Sequence, residues 1–303
     1  METDRKEVDK SHTSQKNKYI VIQELHELGY SICELCNYAK IARASYYKWL
    51  NNSETLRDRE NSIILDEIKK VYSEVKGIYG YRSITLNINR RLNSKYNYKR
   101  IYRFMKSINL SSVIRRKRKK YIKSTPQITA ENILNREFTA DRPNEKWLTD
   151  VTEFKLTNGE KAYLSAILDL GDNSIVSYVL GHSNNNPLVF DTLDKAIATN
   201  PTAKPIFHSD RGYKYTNRTF KSKLDKIEAT QSMSRVSRCI DNGPMEGFWG
   251  ILKVEMYYLR KFDTYEELEQ AIDEYIDFYN TQILQKKLKS MTPIEYRSHT
   301  LTA

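Results

Sequence analysis

Three acidic residues of this chain have the types and the spacing that could do chemistry: Asp150, Asp210 and Glu246. Fifty-nine residues lie between the first two, and 35 lie between the second two. Carboxylate oxygens are ligands that suit Mg²⁺ or Mn²⁺ rather than Zn²⁺. Two such ions about 3.5–4 Å apart can stabilise the attacking and leaving oxygens of an in-line phosphoryl displacement. The pattern therefore favours phosphodiester chemistry, with the same three residues as metal ligands and as catalytic residues.

The three acids are a specific signal only when they occur together in this pattern. Any single Asp or Glu is more often a surface charge or a helix cap. Three carboxylates brought together without a cation would repel one another and raise one another's pKa. Such a cluster destabilises a fold unless cations are bound, so we expect two Mg²⁺ or Mn²⁺ ions beside it.

The positive charge of the chain is concentrated in one segment. Lys and Arg outnumber Asp and Glu by 50 to 38, which gives a net charge of +12. Between Glu74 and Glu131 there is no acidic residue, whereas 16 Lys or Arg occur from Lys76 to Lys123. A basic segment of this kind is typical of a nucleic-acid-binding region.

Two parts of this basic segment are expected to bind DNA. A helix predicted at residues 98–110 has a basic outer face with Arg100, Arg103 and Lys106. Such a face is more often simply solvated, but the absence of acids favours DNA. A run of six basic residues follows: Arg115, Arg116, Lys117, Arg118, Lys119 and Lys120. Such a run neutralises phosphates, and it supplies affinity rather than sequence choice.

Other polar residues stand close to the acidic ones. Lys253 lies two helical turns after Glu246, where we expect it to hold a DNA phosphate. Asn242 begins the same helix and is expected to cap it, or alternatively to touch substrate. His208 could orient a carboxylate, but a structural role is at least as well supported. Asp169 could be a fourth acidic ligand, although its place before a hairpin turn favours a turn hydrogen bond.

The N-terminal part of the chain is predicted to be helical. Residues 19–50 show apolar positions at helical spacing, and 42–49 has the pattern of the second helix of a helix-turn-helix. A packing module is an equally good interpretation of this part. A second helical unit begins at residue 56, turns at 77–82 and ends with the basic helix. This order fits a helix-turn-helix whose last helix enters the major groove of DNA.

From residue 144 the pattern changes to alternating strands and helices. Strands are predicted at 146–156, 161–170, 175–180, 205–208 and 230–234, and helices at 187–199, 215–226, 242–258 and 266–279. Three strands, followed by helices that alternate with two more strands, is the ribonuclease-H-like order. We therefore predict an α+β protein, with a helical helix-turn-helix region before a mixed five-stranded sheet and its flanking helices. The predicted domains are 1–55 (N-terminal helical segment), 56–124 (helix-turn-helix with basic arm), 125–142 (linker) and 143–303 (catalytic core with a C-terminal helical extension).

The composition argues against several other classes of protein. Three cysteines and a polar N-terminus disfavour a secreted disulfide scaffold. No run of 18 apolar residues occurs, so we expect no membrane span and a cytoplasmic chain. Cys33 and Cys36 could begin a zinc site, but only His12 and His26 lie near and their spacing suits no structural site. A pair of thiols one helical turn apart is the favoured interpretation.

At these motifs the chain resembles the orfB-type catalytic subunit of the insertion-sequence-three family of bacterial transposases, which are relatives of retroviral integrases. The resemblance covers most of the chain, and the runs that carry it are highly specific in combination. They lie at residues 46–49, 79–82, 147–152, 208–212, 232–235, 241–246, 279–280 and 291–297.

This resemblance implies a DDE transposase with an integrase-type catalytic core. Asp150, Asp210 and Glu246 would be its metal-binding triad, and Lys253 its basic helper. The implied activity is divalent-metal-dependent DNA cleavage followed by strand transfer into target DNA. The family also implies a homo-oligomer assembled on DNA, an upstream orfA-type subunit or fusion, and action at the bacterial nucleoid.

Three positions depart from the family pattern. Ser237 and Lys289 stand where glycine is common, and Ile283 stands where arginine is common. The two glycine positions could alter turns, and the loss of the arginine could remove a contact to DNA or to a carboxylate.

Two other functions are weighed against transposition. One is a non-catalytic DNA-binding regulator derived from a transposase, which the intact triad disfavours. The other is a ribonuclease-H-like nuclease that only hydrolyses, and the basic N-terminal half weakly favours joining over cutting.

Overall fold

The computed structural model of the protein describes residues 15–51, 56–114, 133–135, 137–234 and 239–302. The predicted basic arm, 115–120, and Ser237 lie outside these residues. The chain divides into two compact units, Met1–Asp66 and Glu67–Ala303. Since this division falls within one helix, the domain boundaries given above stay predictions.

Eleven α-helices and five strands are formed by the part of the chain that is described. The helices are α1 (Gln15–Glu27), α2 (Ile32–Ala39), α3 (Arg43–Leu50), α4 (Leu56–Glu74), α5 (Tyr81–Arg91), α6 (Tyr98–Ser107), α7 (Asn186–Thr199), α8 (Arg218–Lys226), α9 (Gly243–Glu255), α10 (Tyr265–Thr281) and α11 (Pro293–Thr302). The strands are β1 (Lys146–Lys155), β2 (Lys161–Asp169), β3 (Ile175–Gly181), β4 (Ile206–Ser209) and β5 (Thr230–Met233). None of the helices described is long and apolar enough to cross a membrane.

The N-terminal unit has a small aromatic core built by α1, α2 and α3. Tyr19 and Tyr46 are buried, and the ring of Tyr19 stacks on Trp49 with 5.5 Å between ring centroids. Cys33 is exposed on α2, whereas Cys36, one turn later, is buried in this core. The helical pattern predicted for residues 19–50 is confirmed, and Cys36 serves there as a small apolar side chain.

Helices α5 and α6 form the end of the second predicted helical unit. Asn97 caps α6, since its side-chain oxygen accepts a hydrogen bond from the backbone N–H of Lys99 at 2.9 Å. Ile101 and Met105 on the inner face are buried. The predicted helix forms, but it ends at Ser107, three residues earlier than expected.

The sheet of the larger unit has the strand order β3-β2-β1-β4-β5. β1 pairs antiparallel with β2, and β2 pairs antiparallel with β3. β1 pairs parallel with β4, and β4 pairs parallel with β5. This is the mixed five-stranded sheet of ribonuclease-H-like order that the sequence predicts.

Helices cover both faces of this sheet, so β1 is buried on both sides. Trp147 belongs to the apolar cluster formed with α7 and α8. The next residue, Leu148, belongs to the cluster formed with α9 and α10. Neither side chain has any exposed surface. Alternation along the strand therefore sends neighbouring residues into two separate cores.

Two helix boundaries of the core differ from the prediction by three residues. α8 begins at Arg218 rather than at residue 215, because the side-chain oxygen of Asn217 accepts the N–H of Thr219 at 2.8 Å and caps the helix there. α9 ends at Glu255, and the chain continues in a short 3₁₀ turn, Tyr257–Leu259. Both differences concern where a helix begins or ends and leave the order of elements unchanged.

Arg297 anchors α11 to the end of the sheet. Its Nη1 donates to Asp172 Oδ2 at 2.6 Å and to Asp169 Oδ2 at 3.1 Å. Its Nη2 donates to the side-chain oxygens of Asn144 and Asn200, both at 2.5 Å. The arginine side chain is 14% exposed, and both aspartates are fully buried. The two buried carboxylates therefore depend on one guanidinium for charge balance.

We expect Arg297→Gln to lower the free energy of unfolding by about 3–5 kcal/mol, because it leaves buried carboxylates without their cation. Arg90→Gln is the matched control. Arg90 pairs with Glu295, but these side chains are 48% and 40% exposed, so we expect a loss of about 0–1 kcal/mol. Urea unfolding followed by circular dichroism measures both, and equal losses would show that burial of the Arg297 network does not matter.

Lys289 occupies a backbone conformation that favours glycine. Its φ is 54° and its ψ is 33°, and Ser290 follows with φ 64°. A side chain in this left-handed region crowds the following carbonyl oxygen. The turn still closes, since Ser290 N donates to Gln285 O at 3.0 Å. Ile283, the other described departure from the family pattern, packs against the apolar core.

Lys289→Gly should raise the free energy of unfolding by about 0.5–1 kcal/mol, because it removes this crowding. Lys287→Gly, two residues earlier in ordinary helical backbone, should lower it by a similar amount, since glycine there only adds unfolded-state entropy. Chemical denaturation compares the two. A loss of stability from both variants would contradict the strain at residue 289.

Candidate active site

The parallel pairing of β1 and β4 places two of the predicted acids side by side. Leu148 on β1 lies opposite His208 on β4. Asp150 lies two residues further along β1, and Asp210 lies two residues further along the chain, just after the end of β4, so both acids follow the paired residues in the same direction. Strand ends at one edge of the sheet are where an α/β sheet gathers a site. Asp150 is mostly buried, whereas Asp210 is exposed.

Helix α9 brings the third predicted acid to this edge. Glu246 lies in the first turn of α9 and is exposed. Side-chain hydrogen bonds fix the helix against β1: Asn242 Nδ2 to Thr149 O at 3.0 Å, Trp249 Nε1 to Asp150 Oδ2 at 3.2 Å, and Lys253 Nζ to Glu153 O at 3.0 Å. These contacts run along one side of the helix and along β1 from Thr149 to Glu153, so the helix cannot slide without breaking them.

Asp150 lies at the electrostatic centre of this arrangement. Burial, together with the charges of Asp210 and Glu246, raises its pKa to about 6. Hydrogen bonds from Val151 N at 2.8 Å and from Trp249 Nε1 act in the opposite direction, because they stabilise the ionised carboxylate. Both other acids therefore lie near enough to influence Asp150.

The acids do not form a closed set of metal ligands. Among the residues described, no three acidic, histidine or cysteine side chains lie close enough together to surround a metal ion. The donors are nevertheless all oxygens, which fits Mg²⁺ or Mn²⁺. Beside them, Asn242 Oδ1 is buried and lacks a hydrogen-bond partner within the described structure.

The loop after β4 shapes the surroundings of Asp210. Gly212 N donates to Asp210 Oδ1 at 2.9 Å. A Cβ atom at Gly212 would lie 3.0 Å from the same oxygen, closer than side chains normally come. The glycine of the 208–212 motif is thus explained by the close approach of the loop to this carboxylate.

His208 has a structural role. One ring nitrogen lies 2.9 Å from Ser232 Oγ and the other 3.0 Å from Ser234 Oγ. Burial lowers its pKa to about 4, which keeps the ring neutral. The histidine joins β4 to the residues of β5 and beyond, and it forms no hydrogen bond with the acids.

Asp169 lies apart from the acids of the site. It accepts hydrogen bonds from Gly171 N at 2.8 Å and Asn144 N at 2.6 Å, and it pairs with Arg297. The predicted turn hydrogen bond is therefore present, and this acid belongs to the buried arginine network.

Two predicted roles on α9 take an unexpected form. Asn242 occupies the N-cap position but makes no capping hydrogen bond: its Oδ1, which would accept one, has no partner within the described structure, while its Nδ2 donates to Thr149 O. The cap prediction was wrong for this reason. Lys253 Nζ lies 5.1 Å from the ring centroid of Phe154 and donates to the Glu153 carbonyl, so in this structure it is directed along β1.

The predicted DNA-binding face of α6 is largely solvent-exposed. Arg103 and Lys106 are exposed, whereas Arg100 is partly buried, with its guanidinium 5.2 Å from the ring of Tyr96 and 5.8 Å from that of Phe104. Contact with DNA stays a prediction for these residues. It also stays a prediction for the arm at 115–120, which lies outside the described residues.

The structure adds two residues, Trp249 and Lys214, to those that the sequence predicts for the site. Trp249 lies one turn after Glu246, and that spacing alone could have placed it on the same helix face. Lys214 lies in the loop after Asp210. Burial lowers the pKa of this lysine, whereas the charges of Asp210 and Asp150 raise it. A loop has no periodicity, so no sequence signal points to this lysine.

Three protein families match successive parts of the chain. An HTH-like domain matches residues 58–118, and two integrase core domain families match residues 140–239 and 246–301. A protein of Escherichia coli (strain K12) named as transposase InsK of insertion sequence element IS150 is 39% identical over 284 residues, which are 92% of this chain and 98% of that protein. The chain belongs to the insertion-sequence-three family of transposases.

The chain is also similar to other proteins and to solved structures. A transposase-like protein of Haemophilus influenzae is 41% identical over 207 residues, which are 68% of this chain and 95% of that protein. Among solved structures, the HTLV-2 integrase catalytic core domain in complex with magnesium is similar over 52% of this chain and 97% of its own, with 19% identity and a TM-score of 0.41. The family and the integrase core domain make this transposase a DNA-acting enzyme.

Asp150→Asn should stabilise the metal-free transposase, and the gain should depend on pH. The folded-state pKa of about 6 lies above the usual value of 3.8, so ionising Asp150 favours unfolding as pH rises. We expect a gain of about 1–3 kcal/mol above pH 6 that shrinks towards pH 4. Urea unfolding in EDTA at several pH values measures it. Asp225→Asn, at an exposed position of α8, should show no such rise, and a flat profile for Asp150→Asn would refute the raised pKa.

Proposed function

We propose that this transposase cleaves DNA at the ends of its insertion element and joins them to target DNA, using divalent cations held by Asp150, Asp210 and Glu246. The observation that carries the proposal is the convergence of these acids at one edge of the sheet, where two of them raise the pKa of the third. Acids gathered in this way have a functional rather than a stabilising role.

The residues present fit Mg²⁺ or Mn²⁺, since every donor is an oxygen. Two such ions would supply Lewis-acid stabilisation of the charge that develops on the scissile phosphate. Asp150, fixed by Val151 N and Trp249 Nε1, is the preorganised ligand of the set. Asp210 and Glu246 are exposed, and although Gly212 N holds one oxygen of Asp210, both carboxylates face solvent where cations would bind.

The reaction itself consists of two displacements at phosphorus. In the first, water attacks a phosphodiester at the element's end and leaves a free 3′-hydroxyl. In the second, that hydroxyl attacks a phosphodiester of the target, forms the new junction, and breaks the bond from this phosphorus to the target strand's 3′ oxygen, which leaves as a free 3′-hydroxyl. The chain contributes by fixing both DNA ends beside the acids, because a near-attack geometry accounts for much of the rate of such a reaction.

DNA is held by the basic residues outside the acidic edge. The exposed face of α6 with Arg103 and Lys106, together with Arg100 and the arm at 115–120, supplies phosphate contacts. Lys253 reaches a phosphate after its bond to the Glu153 carbonyl opens. Asn242 offers its unpaired Oδ1 to a water or substrate group at the same edge.

The wider assembly follows from the family. We propose that copies of this chain form a homo-oligomer on paired element ends, together with an upstream orfA-type subunit that is separate or fused. The DNA substrate would place this assembly in the bacterial cytoplasm, at the nucleoid. The predicted domains would divide the work, with 56–124 binding DNA and 143–303 carrying out the chemistry.

We expect Asp210→Asn to reduce strand transfer by at least about a thousandfold, because a lost metal ligand removes several kcal/mol of transition-state stabilisation. The assay uses a supercoiled donor plasmid that carries the element's own ends, with Mg²⁺, and scores new junctions by sequencing. Gel-shift affinity for DNA should stay within about threefold of wild type, since phosphate contacts elsewhere dominate non-specific binding.

Asp225→Asn is the control for loss of an aspartate charge, and it should join DNA like wild type. Wild-type junction formation by Asp210→Asn would rule out this triad. Nicked product without any junctions from wild type would indicate a nuclease that only hydrolyses. If neither cutting nor joining occurs, even with Mn²⁺ and the upstream subunit, the chain is a non-catalytic regulator.

A further inference from the structure

Three tyrosines cluster where α5 and α6 begin. Tyr81 is the first residue of α5, and Tyr98 and Tyr102 lie in the first half of α6. The centroid of the Tyr81 ring is 6.0 Å from that of Tyr98 and 5.2 Å from that of Tyr102. These three rings, called the tyrosine cluster below, therefore connect the N-terminal parts of the two helices.

The tyrosine cluster is open to solvent on α6. Tyr98 and Tyr102 are 48% and 50% exposed, whereas Ile101 and Met105 on the same helix are buried. Aromatic rings carry large apolar surfaces, and two of them side by side in water form a patch that a bound molecule could cover. The exposed part of the cluster is therefore a candidate binding surface.

The charges around the cluster favour a polyanion as the bound molecule. Lys99, Arg103 and Lys106 are exposed on α6, and neither α5 nor α6 contains an acidic residue. The guanidinium of Arg82 lies 5.7 Å from the centroid of the Tyr81 ring, and its Nε donates to Tyr81 OH at 3.2 Å. A positive surface attracts phosphates and repels a second copy of itself. Charge complementarity therefore selects DNA.

The aromatic and basic side chains form two neighbouring stripes on α6. Residues four apart lie on the same side of a helix, so Tyr98 and Tyr102 form one stripe and Lys99 and Arg103 form the other. Cations bind phosphates whatever the sequence, whereas an apolar ring gains nothing from a phosphate. In the major groove of DNA, the apolar group is the 5-methyl of thymine. The tyrosine stripe therefore matches base edges, and the basic stripe matches the backbone beside them.

We propose that Tyr98 and Tyr102 contact thymine methyl groups in the major groove of the element's ends and thereby help to select the DNA sequence that is bound. This inference rests on the proposed function, in which α6 holds DNA through its phosphates, and it adds the residues that read bases. Tyr81 supports both rings from α5. Arg103 and Lys106 supply affinity that does not depend on sequence.

The test compares thymine with deoxyuridine, which lacks only the 5-methyl group. Gel shifts with the full-length protein use two duplexes of the element's terminal sequence, one with thymine and one with deoxyuridine throughout. Wild type should bind the deoxyuridine duplex at least about fivefold more weakly. Tyr98→Ala and Tyr102→Ala should each show a smaller penalty for deoxyuridine, and the double variant should show none. Tyr102→Phe keeps the ring and should keep the wild-type penalty.

Two controls separate a base contact from a phosphate contact and from the loss of any exposed tyrosine. Arg103→Gln should weaken binding to both duplexes equally and lower the salt slope by about 0.9. Tyr258→Ala removes a tyrosine that is 66% exposed after α9, and it should keep the wild-type penalty. Circular dichroism checks the fold of each variant. The wild-type comparison of the two duplexes needs no variant, so it stays decisive if an alanine variant fails to fold.

Equal binding of both duplexes by wild type overturns the inference, as does a full penalty in the double alanine variant. If the alanine variants change only the sedimentation of the protein, this surface is an interface between copies, and the inference is again wrong. Strand transfer by wild type but not by Asp210→Asn tests the proposed function separately. If strand transfer passes that test and the deoxyuridine penalty is absent, only the base contact fails.

Discussion

Repulsion between carboxylates is the constraint on which the rest of the core depends. The sheet brings Asp150 and Asp210 to one edge, and α9 adds Glu246, although each charge raises the free energy of the others. Two strands and a helix must therefore be held firmly against that repulsion. Side-chain hydrogen bonds between α9 and β1 hold the helix, while Trp147 and Leu148 anchor the strand in two separate apolar cores.

The buried acids of the larger unit have two different electrostatic environments. Asp169 and Asp172 share one arginine, Arg297, which donates hydrogen bonds to five side-chain oxygens, so a cation of the protein itself offsets one of their two charges. Among the described residues, Asp150 has two hydrogen-bond donors, Val151 N and Trp249 Nε1. In the first arrangement the protein supplies the cation itself. The second arrangement leaves negative charge unbalanced, as expected of a site that binds cations.

The sequence was enough to predict the order of strands and helices in the core, because buried strands and amphipathic helices have clear periods. It also singles out Asp150, Asp210 and Glu246, since a motif marks each of them, and their role as metal ligands stays a prediction. It could not show that Asn242 turns away from its cap position to bind Thr149, because that choice depends on a partner 93 residues away. Trp249, Lys214 and Arg297 act through contacts that only the folded chain creates. The same limit applies to Lys289, whose left-handed backbone is a property of the turn it closes.

The parallel register of β1 and β4 has a consequence for how such enzymes can diverge. Leu148 is fixed opposite His208, and each acid follows two residues later, Asp150 within β1 and Asp210 just after β4. The 59 residues between them include β2, β3 and α7, none of which enters into this local offset. Insertions in that long crossover would change the number of residues between the two acids in the sequence. They would leave the two acids side by side in the fold. A slip of one residue within β1, by contrast, would turn Asp150 to the opposite face of the sheet. Insertions are therefore tolerated in the segment between the two acids, but a shift of register is not tolerated in the strands that carry them.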